Sequence, residues 1–137
     1  MAAVLVLAAG MLLPQSLAYR KYFAKLEVRT AANLLAADMR KLQQQALFGE
    51  GEQRYLRSQV NGYDFIVQGK KVKQVRFADN GWNVTLSWPK RFNVQFGVSG
   101  SPAASGTWVL KHDELQNFSC TVAVQPVTGR IVVSESE

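Results

Sequence analysis

Residues 19–48, YRKYFAKLEVRTAANLLAADMRKLQQQALF, decide how this chain is built. The stretch holds neither proline nor glycine and is rich in Ala, Leu, Gln, Lys and Arg, all good helix formers. Val28, Ala31, Ala32, Leu35, Met39, Leu42 and Ala46 recur at steps of three and four, forming one apolar stripe that Leu34 widens. Arg29, Asn33, Arg40, Lys41 and Gln44 fall mostly off it. Gly49-Glu50-Gly51-Glu52 is a helix stop. The spacing predicts an amphipathic helix over 19–48 whose stripe packs on a sheet formed by the downstream chain. The part before about Val28 is expected to stand clear of that packing and meet neighbouring subunits.

Upstream lies MAAVLVLAAGMLL, an uncharged run whose apolar bulk is Val4, Leu5, Val6, Leu7, Met11, Leu12 and Leu13, closed by Pro14. As a helix it spans about 20 Å, against roughly 30 Å of bilayer hydrocarbon, and extension to Ala18 gives a marginal span. A signal peptide is one reading, with Ser16-Leu17-Ala18 as a cleavage site; it lacks a basic n-region, and it would leave a secreted soluble β domain beginning at Tyr19. A buried core helix is another, but the run has no polar face for water. The preferred reading is a transmembrane helix that starts upstream of Met1. The expected organisation is an anchor over 1–18, the amphipathic helix over 19–48 and a β domain over 49–137. By the positive-inside rule alone, Arg20, Lys21 and Lys25 would put that end of the span in the cytoplasm; a basic leader upstream voids that inference.

From Tyr55 the period changes from helical to alternating. Tyr63, Phe65 and Val67 share a face; Gln68-Gly69-Lys70 and Asp79-Asn80-Gly81 read as turns. Val84, Leu86 and Trp88 come next, then the alternating Phe92, Val94, Phe96 and Val98. After the small-residue loop 100–106 come Trp108 and Leu110, then Phe118, Cys120, Val122 and Val124, then Ile131 to Val133. Six to eight short strands with regular turns predict a mostly antiparallel sheet. With one long helix the class is α+β.

The inventory of reactive groups argues against an enzyme. The one histidine, His112, stands beside Asp113 and Glu114 with no second histidine, serine elbow or cysteine pair, and reads as an exposed turn residue. Cys120 is in phase with its apolar neighbours and reads as a core thiol. No phosphate loop or calcium loop is spelled out, and no cofactor or small-molecule substrate is expected. Net charge is +6 and the isoelectric point near 9.7. That balance fits nucleic acid or anionic lipid, and equally an ordinary soluble surface.

The order of these pieces resembles type IV pilins and pseudopilins, and within them the GspH/FimT-like minor pseudopilins. VLVLAAGMLLP followed by YRKY looks like the second half of the pilin transmembrane helix. Ala31 to Arg40 with Gln44-Gln45-Ala46 is similar to the family's amphipathic segment. Phe96 to Gly106, and Val124-Gln125-Pro126-Val127-Thr128-Gly129-Arg130-Ile131, look like its closing strands and Thr-Gly-Arg turn. The resemblance implies a minor subunit of a type II secretion pseudopilus or of a type IV or competence pilus. It implies single-pass anchoring in the cytoplasmic membrane, an extracytoplasmic β domain and partner pilin subunits. It also implies processing by a prepilin peptidase, with a basic leader, a glycine at the cut, a methylated first residue and an inner glutamate. None of these precedes the apolar run here, so the resemblance implies a leader and about eight further residues upstream of Met1.

One further partner is suggested by charge. Lys70, Lys71, Lys73, Arg76, Lys90 and Arg91 cluster against one acid, Asp79, with Trp82 and Trp88 among them, and Arg130 lies near the C-terminus. Phosphate contact plus aromatic stacking is how sequence-neutral DNA binding is built, and FimT-like proteins are associated with DNA uptake. The competing expectation is a strand edge guarded by lysines.

Overall fold

The computed structural model describes residues 2–48, 53–88, 93–97, 99–103 and 105–137, with side chains from Ala18 onward. One helix, α1, runs over Ala2–Leu47. Among the described residues seven strands come after it: β1 (Arg54–Gln59), β2 (Gly62–Val67), β3 (Lys70–Arg76), β4 (Val84–Ser87), β5 (Gly106–His112), β6 (Ser119–Val124) and β7 (Ile131–Ser136), with a 3-10 turn at Phe77–Asn80 after β3. All pairings are antiparallel, in a three-stranded sheet β1-β2-β3 and a four-stranded sheet β4-β5-β6-β7. The class is α+β, one helix packed on antiparallel sheets.

The helical stripe decides the packing. Val28, Ala31, Ala32, Leu35, Met39 and Leu42 are buried against a core that includes Leu56, Tyr63, Phe77, Leu86, Trp108, Leu110, Cys120 and Val122. Three alanines on this face bring the helix backbone close to the strands, while Leu35, Met39 and Leu42 fill the space between. The sheets join where the Leu86 amide donates to Val60 O (2.8 Å) and the Trp108 indole donates to Ser58 Oγ (3.0 Å). The Gln43 side-chain amide, on α1, donates to both Gly100 O (2.8 Å) and Gly129 O (3.1 Å), fastening two loops to the helix. Gly129, at φ 68°, leaves room for this: a Cβ there would sit 2.3 Å from Gly100 O.

Three expectations need correction. The strand expected over 92–98 is not one: among the described residues, Val94 bridges Leu56 and Phe96 bridges Pro102, each as an isolated pair. Phe92 and Val98 lie outside the described residues. The alternation there marks burial of Val94 and Phe96 rather than a continuous ladder. The free part of the helix is also shorter than expected. Ala24 and Val28 are already buried, so only Tyr19 to Phe23 stands clear. The turn expected at Asp79-Asn80-Gly81 is present, as the end of the 3-10 turn, with Gly81 closing it in the left-handed region (φ 76°). Finally, His112 is not exposed; it ends β5 in phase with Trp108 and Leu110 and is buried with them.

Candidate interaction surface

Two regions gather the residues singled out by sequence. The first is the start of the described helix surface. Tyr19, Tyr22 and Phe23 are 62 %, 55 % and 56 % exposed, and Tyr19 stacks on Phe23 one turn later at 6.3 Å. Arg20 and Lys21 are exposed beside them. Directly below, the helix is clamped. Lys25 Nζ lies 3.2 Å from Glu137 Oε1, and Arg29 Nε donates to Glu135 Oε1 at 2.6 Å, tying α1 to the end of β7. Both cations lie over the Phe118 ring, at 5.3 and 5.4 Å. On the other flank, Glu27 Oε2 meets His112 Nε2 at 2.5 Å. The Glu114 amide donates to His112 Nδ1, so in the neutral ring the proton sits on Nε2 and points at Glu27. Shallow grooves of about 440 and 300 Å³ flank the clamp, the first reached by Lys21 and Phe118, the second by Tyr19, Phe23 and His112.

The anchor residues Val4, Leu5, Val6, Leu7, Met11, Leu12, Leu13 and Pro14 lie on the same continuous helix, with their side chains outside the described residues. Among the described residues no helix is long and apolar enough to cross a membrane.

The second region is the β2–β3 hairpin. Lys70, Lys71, Lys73 and Arg76 all lie on β3, an edge strand. Three of them approach buried carboxylates, Lys71 and Lys73 from exposed positions. Arg76 Nη1 is 3.0 Å from Asp64 Oδ1, and Lys71 Nζ is 3.7 Å from Asp64 Oδ2. Asp64 is fully buried on β2 and also takes a hydrogen bond from the Gln59 amide (2.7 Å), with Arg57 3.7 Å away. The contact of Arg76 with Oδ1 is a charge contact without hydrogen-bond alignment. Lys73 Nζ is 3.8 Å from Asp38 Oδ1 on α1 and sits over the Phe65 ring at 5.4 Å. Asp38 accepts from the buried Tyr63 hydroxyl at 2.5 Å. Burial, and then this hydrogen bond, push the Tyr63 phenol well above its ordinary range.

Among the described residues, three of the four cations of the cluster are thus counter-charges of two buried carboxylates, a role that the acid count of residues 70 to 91 could not reveal. Asp64 sits inside the apolar run GYDFIV, and that misplaced acid is the one sequence signal of a buried charge. Lys90 and Arg91 lie outside the described residues. Arg130 is exposed just before β7, on the other sheet, and is not brought to the hairpin. Trp82 is half-buried against Phe77 at 6.5 Å and Trp88 packs on the core, so neither offers an open stacking platform. Cys120 is buried, which raises its thiol pKa. Among the described residues no three acids, histidines or cysteines converge as a metal site.

Compared with known proteins, the chain matches no family model, no curated protein and no solved structure.

Proposed function

We propose that this chain is a minor pilin-like structural subunit of a type II secretion pseudopilus or a type IV or competence pilus. One observation supports it above the others: a single 46-residue helix whose second half is buried in an antiparallel β domain, while its first half carries the apolar run. In this reading, residues 1–18 anchor the subunit in the cytoplasmic membrane, together with helix upstream of Met1. They later pack against neighbouring helices, a transfer between two apolar surroundings. The Ala and Gly positions in that run allow close helix approach. Tyr19, Tyr22 and Phe23, with Arg20 and Lys21, have the chemistry of a membrane–water boundary and sit between anchor and domain. The β domain is then extracytoplasmic, the partners are other pilin or pseudopilin subunits, and a prepilin peptidase processes the precursor. The role is structural and requires no catalytic group or cofactor.

Cysteine cross-linking tests this reading. Cys120 is buried, so Phe23→Cys supplies the one accessible thiol among the described residues. In membranes of cells assembling the filament, mild oxidation should trap it with a cysteine placed at the same height of a neighbouring subunit. Lys70→Cys, on the outer strand, should not be trapped by that same neighbouring cysteine. Equal trapping at both positions, or none at either, would count against packing through the helix.

The DNA-binding alternative draws on the exposed Lys70 and Arg130 and on the net charge of +6. The pairing of Lys71 and Arg76 with Asp64, and of Lys73 with Asp38, makes it the weaker reading.

A further inference from the structure

The foot of the domain holds a groove whose walls are tied together while its charges are left unused. It lies between α1 and the turn after β5 and has a volume of about 300 Å³. Tyr19, Arg20 and Phe23 border it from the helix, with Asn83, before β4, and Glu114, after β5, on the other side. The contact between Glu27 and His112 also lines it and joins the two walls. The Glu114 and Leu115 amides donate to His112 Nδ1 (3.1 Å) and His112 O (3.0 Å), so the turn that carries Glu114 is held in place. Arg20 and Glu114 are exposed, and among the described residues neither side-chain charge has an ion-pair or hydrogen-bond partner. The larger groove on the other side of Glu114 offers less, because its Lys25 already serves Glu137 and Phe118.

We propose that this groove is a headgroup site for a membrane phospholipid of the phosphoethanolamine class. The Arg20 guanidinium takes the phosphodiester. The Glu114 carboxylate and the Asn83 side-chain oxygen accept from the primary ammonium, and Tyr19 and Phe23 cover the glycerol and the first chain carbons. A zwitterion suits a groove that offers both signs of charge. A purely anionic headgroup would meet the repulsion of Glu114, and a choline headgroup has no N–H to donate to it. The lipid source follows from position. In the reading of residues 1–18 as a membrane anchor, on which this inference rests, a groove bordered by Tyr19 and Arg20 lies at the bilayer surface.

The test places the whole chain, isotope-labelled, in phosphatidylcholine nanodiscs and follows the Asn83 and Glu114 amides by NMR as phosphatidylethanolamine replaces part of the lipid. Saturable shifts of both amides are expected. Arg20→Gln and Glu114→Gln alter exposed side chains, so the rest of the spectrum should stay in place; each should raise the half-saturating lipid fraction about five-fold. An unchanged response in both variants overturns the proposal. Phosphatidylglycerol keeps the phosphate but lacks the ammonium and should give no saturable shift at these amides. An equal response to it would mean general attraction to anionic lipid, and the proposal would be wrong. Glycerophosphoethanolamine added from solution to about 1 mM should not reproduce the shift; if it does, the ligand is a soluble phosphoester and the lipid assignment falls. A chain that enters the discs without a saturable response refutes the site alone. A chain that stays outside them refutes the anchor reading and the site with it.

Discussion

Tyr63 carries the most consequential single contact between helix and sheet. Its hydroxyl donates to the buried Asp38 carboxylate, and Lys73 approaches the other oxygen. Tyr63→Phe removes the donor but leaves the carboxylate buried, so unfolding free energy should fall by about 1–3 kcal/mol in urea titrations. The same contact sets a pH dependence. The folded phenol ionises well above the unfolded value of 10.0, so its contribution is fully present below pH 10 and is lost as the unfolded chain begins to ionise above it. Urea midpoints measured from pH 9 to 11 should fall more steeply for the natural chain than for Tyr63→Phe; parallel curves would mean that Tyr63 ionises alike in both states. None of this was legible in the sequence. Asp38 falls between stripe positions Leu35 and Met39, and its partner lies 25 residues away on a strand whose register no pattern discloses. The His112–Glu27 pair was missed for a related reason: flanking Asp113 and Glu114 suggested a turn, while the period-two step from Trp108 through Leu110 to His112 pointed inward.

At the scale of elements, the helix was the most legible part. Steps of three and four over 28–42 named the buried face, because a helix that covers a sheet has one apolar side. Leu35→Ala should cost about 2–5 kcal/mol, since the backbone on either side cannot collapse into the void. Asn33→Ala, on the exposed side, should stay within about 0.5 kcal/mol. Thermal melts of the two variants check the pair, and equal effects would mean that the helix does not lean on the sheets through this stripe. The strands were legible as alternation and turns, but their division into two sheets was not. Alternation names the face of a residue and not its neighbouring strand, so 92–98 looked like a strand although Val94 and Phe96 make only isolated bridges. The length of free helix was overestimated because Lys25 and Arg29 read as part of the polar face and Glu27 entered no motif. Instead they hold partners on β7 and at the end of β5.

Across the whole molecule, charge is distributed by role. The net +6 fitted a basic surface as well as an ordinary one, yet three of the four cations on β3 face Asp38 and Asp64, and at the foot of the domain Lys25 and Arg29 face Glu137 and Glu135. Exposed pairs of the second kind add little stability and are screened by salt; their value lies in fixing where the helix leaves the sheets. Below that exit, exposed aromatic and basic residues lead toward the apolar run, and this polarity along one helix is the basis for regarding the chain as a membrane-anchored filament subunit. The identity of the N-terminus in the cell tests that claim most directly. The endogenous protein, recovered separately from membrane and soluble fractions, would be read intact by mass spectrometry. A filament subunit should be found in membranes, starting upstream of Met1 with a methylated residue and a glutamate just inside the cut. A protein starting at Tyr19 in the soluble fraction would show that the apolar run is a removed signal, and the filament assignment would be wrong.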